Sequence, residues 1–188
     1  KEILSEQFAK YTNHCPAIYT IPVGSLASLP NSDQRKPFSI ITASRLASEK
    51  HIDWLVRAVV RAKGEIPELS FDIYGKGGEE GKIRSLIDDL AASEYIKLKG
   101  HADLAEVYKN YEIYLSASTS EGFGLTLMEA IGSGLTIIGF DVPYGNQTFV
   151  VEGKNGYLIP NSVDQVVDRI ADAFSEKIVK VYRNHELE

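Results

Sequence analysis

The chain has 188 residues, 44% hydrophobic and 24% charged, which suffices for one sizeable core and, by length, one domain. Its net charge of −6 argues against broad nucleic-acid or anionic-membrane binding and leaves room for a local basic pocket at most. The single cysteine, Cys15, excludes an intrachain disulfide, fits a reducing compartment and reads as a small apolar residue, since no nucleophile setting surrounds it.

In chain order, residues 3–11 read as a helix and 17–23 as a first strand. Residues 24–37 are polar with two prolines and read as a loop. Further strands are expected at 38–43, 69–74, 95–99, 113–117 and 136–140, each bounded by turn formers and most rich in Ile, Val, Tyr or Phe. Helices fall between them. Ile52, Leu55, Val56, Val59 and Val60 form one stripe; Ile83, Leu86, Ile87 and Leu90 form a second. A late helix carries Val163, Val166, Val167, Ile170 and Phe174. All three follow the spacing of one buried helix face. No apolar run approaches the roughly 20 residues of a membrane helix, and no signal peptide opens the chain. Starting on Lys1 and ending on Leu187-Glu188, the sequence reads as a piece of a larger protein.

Strand–helix alternation with nearly continuous apolar strands predicts an α/β fold: a doubly wound, Rossmann-like parallel sheet covered on both faces. Ligands in such folds sit at the carboxyl ends of strands. That directs attention to loops 44–50, 75–81, 100–103, 116–124 and 141–145.

The segment from Ser118 to Ala130, Ser-Thr-Ser-Glu-Gly-Phe-Gly-Leu-Thr-Leu-Met-Glu-Ala, follows a strand and opens a helix. Gly122 and Gly124 let the backbone turn tightly beside a ligand. Free N–H groups near Gly124 to Thr126 can receive an anion. Glu121 and Glu129, about two turns into the helix, can meet two hydroxyl-bearing parts of one elongated ligand. Taken alone, that carboxylate pair reads as helix-start chemistry and a solvated surface; the Gly-Phe-Gly insert favours the ligand. Arg45 and Lys50 place a planar fork and a point charge after an earlier strand, which suits a diphosphate. Gly75-Lys76-Gly77-Gly78-Glu79-Glu80-Gly81 departs from the dinucleotide spacing and reads as a glycine-rich turn near the ligand. A Walker loop and an Asp-x-Asp metal pair are both missing. His14, His51, His101 and His185 have no metal-ligand spacing. The sequon Asn146-Gln147-Thr148 reads as chance.

Arg45 and Lys50 followed by Glu121-Gly-Phe-Gly and Glu129 resemble the donor-site signature of glycosyltransferase family four, the retaining GT-B enzymes. The resemblance runs from Ile21-Pro22-Val23-Gly24 to Gly153-Lys-Asn-Gly156-Tyr-Leu-Ile. It implies that residues 1–188 are the C-terminal, donor-binding domain of a GT-B fold, with the N-terminal acceptor domain absent. Gly139 to Phe149 is similar to the branch that transfers GlcNAc from UDP-GlcNAc to Ser and Thr of serine-rich repeat adhesins in the accessory Sec system. The resemblance implies a cytoplasmic enzyme working with a homologous, non-catalytic partner subunit, peripheral to the membrane at most through that partner or the missing domain. Polyol-phosphate (teichoic acid) α-glucosyltransferases share a similar segment and are the alternative within the family.

The same resemblance implies the roles. Arg45 and Lys50 hold the diphosphate and stabilise the leaving UDP without a metal; Glu121 bonds the transferred sugar; Glu129 takes the ribose hydroxyls. Backbone N–H groups of Phe123, Gly124, Leu125 and Thr126 contact sugar and phosphate oxygens. His101 and Leu104 frame the uracil, Tyr74 and Gly75 line the cleft, and Gly24 lies near the diphosphate. No protein nucleophile is expected. A non-catalytic binding module is the competing class, disfavoured by the intact Arg45, Lys50, Glu121 and Glu129. A nucleotide-sugar epimerase lacks its acid/base set here. Without its first domain the chain is expected to show little or no transferase activity.

Overall fold

The computed structural model describes residues 35–120, 124–143, 145–161 and 166–185. The expected helix 3–11, strand 17–23, Cys15 and most of the 24–37 loop lie outside them. Six strands form one sheet: β1 (Ser39–Ala43), β2 (Ser70–Tyr74), β3 (Ile96–Gly100), β4 (Ile113–Ser116), β5 (Thr136–Phe140) and β6 (Gly156–Ile159). Their order is β3-β2-β1-β4-β5-β6, and every pairing is parallel. This is the doubly wound arrangement, with the strand order reversing between β1 and β4. The connections carry α1 (Ile52–Lys63), α2 (Glu80–Asp89), α3 (Leu104–Val107), α4 (Leu125–Gly132) and α5 (Asn146–Phe149). α6 (Val167–His185) follows β6.

Side-chain alternation along the strands divides the core in two. Ile40, Ile113, Leu115 and Ile138 face a layer that includes α1, α2 and α6. Ile41, Tyr114 and Ile137 face the layer of α4 and the turn after α3. In the first layer Trp54 of α1 meets Phe140 edge-on at 6.0 Å, and Phe140 meets Phe174 of α6 at 5.3 Å. Arg61 ties α1 to α6 through Asp168 at 2.5 Å and Asp172 at 2.7 Å. These pairs are largely exposed and contribute little beside the aromatic packing.

Three expectations need correction. β6 is missing from the sequence reading because it is only four residues long and follows a polar Gly-Lys-Asn run. It packs so closely on β5 that a Cβ at Gly156 would lie 2.3 Å from the Ile137 carbonyl oxygen. Val166 stands 50% exposed ahead of α6, off the buried stripe, and Val163 lies outside the described residues. The late helix runs well past the stripe that ends at Phe174: α6 continues without a break through residues 178–182. Ile178, Val179, Val181 and Tyr182 are buried in the same core as Ile170 and Phe174. No helix among the described residues is long and apolar enough to cross a membrane.

Candidate functional site

β1 pairs with β2 along its whole length, from Ser39–Ser70 to Ala43–Tyr74. With β4 it pairs only at Ile40–Ile113 and Ile41–Tyr114. Beyond those residues the two strands part, opening a crevice at the switch point of the sheet, where doubly wound folds bind ligands.

One wall is the loop after β1, which carries Arg45 and leads into a short 3-10 helix, Ser48–Lys50. The glycine-rich loop after β2 holds it in place. Ser44 N–H donates to the Tyr74 carbonyl (3.1 Å), Leu46 N–H to the Lys76 carbonyl (3.0 Å), and Glu79 N–H to the Leu46 carbonyl (3.0 Å). The fit depends on glycine. A Cβ on Gly75, at φ 136°, would lie 1.8 Å from the Ser44 carbonyl oxygen, and one on Gly77 would lie 2.2 Å from that of Leu46. Gly75 and Gly77 therefore admit the Arg45 loop, which is why the segment departs from the dinucleotide pattern.

The other wall is the N-terminus of α4. Gly124 caps it in the left-handed region at φ 76°, with no side-chain cap and no acidic residue in the first turn. The first N–H groups of a helix lack intrahelical acceptors, so those of Leu125 and Thr126 are available to an anion. Leu125 is 51% exposed at the rim.

Two adjoining cavities occupy the crevice. The first, about 280 Å³, is bounded by Arg45 and Lys50 on one side and Ser118, Gly124, Leu125 and Thr126 on the other. The second, about 340 Å³, lies over β2 and is lined by Tyr74, Gly75, Lys76, His101, Ala102 and Leu104. Ala43, Ser44, Arg45 and Thr126 belong to both walls, so the two make one elongated groove. Among the described residues no Asp or Glu lines either cavity, although the chain carries a net −6. The groove concentrates cations, amides and hydroxyls on one side and apolar surface on the other. Arg45 is 78% exposed and bonded to Glu49 at 3.0 Å, within reach of an incoming anion.

The structure thus brings together Arg45, Lys50, Gly124, Leu125 and Thr126 at one cavity, and Tyr74, Gly75, His101 and Leu104 at its neighbour. Gly24, Glu121 and Phe123 lie outside the described residues. Tyr74 is largely buried, with its hydroxyl 3.2 Å from that of Tyr111, which donates to Asp72 at 2.6 Å, and it is among the residues that line the groove. Glu129 is the fifth residue of α4, little more than one turn in rather than two, and belongs to neither cavity wall. Burial, with the Asp103 carboxylate as a second cause, raises its pKa above the ordinary 4.5. Asn146 is buried and donates to the Phe140 carbonyl at 2.7 Å, which keeps the sequon out of reach. Among the described residues, no three His, Cys, Asp or Glu side chains cluster as a metal site.

Sequence reasoning missed Lys76, Ser118 and Tyr114. Lys76 was hidden in a run read for its glycines. Tyr114 was counted as a strand residue, and only its place beside the opening of β1 and β4 marks it out.

The model of the family described as Glycosyl transferases group 1 matches residues 30–186. The UDP-N-acetylglucosamine–peptide N-acetylglucosaminyltransferase GtfA subunit of Streptococcus pneumoniae serotype 4 (strain ATCC BAA-334 / TIGR4) is 65% identical over 188 residues. That covers 100% of this chain and 37% of the relative. The crystal structure of the pneumococcal O-GlcNAc transferase GtfA in complex with UDP and GlcNAc superposes with a TM-score of 0.94 at 64% identity, over 98% of this chain and 37% of that one. A GtfA/B complex superposes with a TM-score of 0.87 at 61% identity, over 96% and 36%. The teichoic alternative is further away: the poly(glycerol-phosphate) alpha-glucosyltransferase of Bacillus subtilis (strain 168) is 36% identical over 123 residues, 65% of this chain and 18% of that relative. On the family match and on identity across its whole length, the chain belongs to the group 1 glycosyl transferases.

Proposed function

We propose that this chain is the donor-binding domain of a retaining glycosyltransferase that moves GlcNAc from UDP-GlcNAc to Ser and Thr of a protein acceptor. A second, N-terminal domain supplies the acceptor site. The observation that carries this reading is the groove itself: cations and helix-start amides at one end, an apolar slot at the other, and no carboxylate among its described lining residues. A nucleoside diphosphate has that polarity, with a flat base in the slot and a dianionic diphosphate against Arg45, Lys50 and the start of α4. His101 and Leu104 frame the uracil beside Tyr74 and Gly75. The family resemblance assigns Glu129 to the ribose, Glu121 and the Phe123 amide to the sugar, and Gly24 to the diphosphate.

In the reaction the bond from the sugar anomeric carbon to the β-phosphate oxygen breaks as the acceptor hydroxyl bonds that carbon on the same face. The departing phosphate oxygen takes the hydroxyl proton. Arg45 and Lys50 stabilise the charge that grows on UDP, a preorganised electrostatic contribution requiring neither a metal nor a protein nucleophile. The GtfA/B complex supports a homologous partner subunit, which we assign to acceptor handling, and identity to GlcNAc transferases favours GlcNAc over glucose. The single cysteine, which allows no disulfide within this chain, suits a cytoplasmic site of action. The test is transfer by the full-length protein with its partner, in EDTA, to a Ser/Thr-rich peptide. UDP-GlcNAc is expected to be used well ahead of UDP-glucose, with α-linked product by NMR and little or no turnover by the 188-residue chain alone. Preference for UDP-glucose and a polyol-phosphate acceptor would establish the teichoic reading instead.

The raised pKa of Glu129 gives this reading a pH signature. The ionised carboxylate is the stronger acceptor for ribose hydroxyls, so UDP-GlcNAc affinity is expected to fall as pH drops through the raised pKa of Glu129. The sugar-linked diphosphate does not itself titrate there. Folding has the opposite sign at this residue: burial penalises the charged form, so protonation relieves it. Calorimetry from pH 7.5 down to 4 should show a sloping profile for the native protein and a flat, weaker one for Glu129→Gln. A slope unchanged by that substitution would assign the titration elsewhere.

A further inference from the structure

The carbonyl of Ala43, last residue of β1, faces the place where β4 has already turned away. Tyr114 of β4, only 3% exposed, takes over as its partner: the phenol oxygen is 3.0 Å from the Ala43 carbonyl oxygen and 3.1 Å from Thr126 Oγ1. A phenol has one proton and a carbonyl has none to give, so Tyr114 donates to Ala43 and accepts from the Thr126 hydroxyl. Tyr108 completes the hold by donating to the Thr126 carbonyl at 3.1 Å. The next residue after Ala43 begins the Arg45 loop, and Thr126 is the second residue of α4. One buried hydroxyl therefore spans the crevice between its two walls.

We propose that Tyr114 is a positioning residue that sets the distance between the Arg45 loop and the start of α4, and so the fit of the groove to a diphosphate. It rests on the donor-site reading. Because Thr126 spends its hydroxyl proton on Tyr114, it meets the anion through its backbone N–H. The hydroxyl acts chiefly on the phosphate end of the groove; the slot over β2 shares Ala43 and Thr126 with that end, but takes the rest of its wall from Tyr74, His101, Ala102 and Leu104, none of which Tyr114 bonds.

The test compares Tyr114→Phe with the native full-length protein for UDP and for uridine, by calorimetry in EDTA. Tyr182→Phe is the control, since it removes a buried tyrosine hydroxyl that bonds the Ser39 carbonyl at the opposite end of the sheet. Tyr114→Phe, which removes both hydrogen bonds of the bridge, is expected to weaken UDP about tenfold, while uridine binding holds within about twofold and Tyr182→Phe leaves both unchanged. Amide hydrogen exchange of the ligand-free protein should quicken at residues 128–130, the first hydrogen-bonded amides of α4, in Tyr114→Phe and not in Tyr182→Phe. Equal losses of UDP and uridine, or UDP affinity within twofold of native, would overturn the proposal while leaving the donor reading intact. Failure of the native protein to bind UDP would overturn the donor reading and this inference together, whatever the exchange data show.

Discussion

Replacing Arg45 and Lys50 together by alanine is expected to weaken UDP binding by about 100- to 1,000-fold while leaving the fold almost untouched. Charge-assisted hydrogen bonds to a buried anion are worth about 1.5–3 kcal/mol each. Two of them at full value exceed that range. The exposure of Arg45 and the need to trade its bond to Glu49 bring the sum down. In the unliganded protein the Arg45–Glu49 pair is a surface contact, worth about 0.5 kcal/mol or less, so the melting temperature should barely change. Uridine, which lacks the diphosphate, should lose far less, through the part of the slot that Arg45 also lines. Calorimetry with UDP and uridine, paired with thermal melts, checks both halves. Equal UDP binding by native and double-variant protein would remove the cationic clamp from the account.

The second large effect is expected at Gly75. Alanine there has to adopt φ 136° and place its Cβ 1.8 Å from the Ser44 carbonyl oxygen. Backbone strain of that kind costs about 1–3 kcal/mol before the clash is counted. Its relief requires the Arg45 loop to move away from β2, so Gly75→Ala should lower the denaturation midpoint and weaken UDP binding together. Gly78 is the matched comparison: a Cβ there meets nothing within 4 Å, and Gly78→Ala should be close to silent. Denaturant melts and UDP titrations of both variants decide the point. A silent Gly75→Ala would show that the loops after β1 and β2 are not locked as the hydrogen bonds between them indicate.

These two experiments address features of unequal visibility in the sequence. The central strands β1, β4 and β5 were legible because buried parallel strands demand nearly continuous apolar residues, β2 and the edge strand β3 because their apolar residues alternate with polar ones, and α1 and α2 because their stripes are regular. β6 was not, since an edge strand needs few apolar positions and this one is held by the close approach of Gly156 to β5. The extent of α6 was misjudged for another reason: helical periodicity shows which face is buried but not what it is buried against. Only α1 and the central strands reveal that Ile178 to Tyr182 stay with this domain.

At the site, Arg45, Lys50 and Gly124 could be picked out because cations and a turn glycine after strands have few other uses in combination. The role of Gly75 as a seat for the neighbouring loop, and the bridge made by Tyr114, depend on which strands part and where. That is a property of topology, and a single chain does not display it. Glu129 lies between the two cases: its presence was legible, but its burial and the proximity of Asp103 were not.

The most direct test of the central claim is a calorimetric titration of the full-length native protein with UDP in EDTA, with uridine and ADP run alongside. The account predicts saturable one-site UDP binding that survives the chelator, exceeds uridine through the diphosphate and exceeds ADP through the base. Absence of UDP binding, or binding that appears only when a divalent metal is restored, would contradict it.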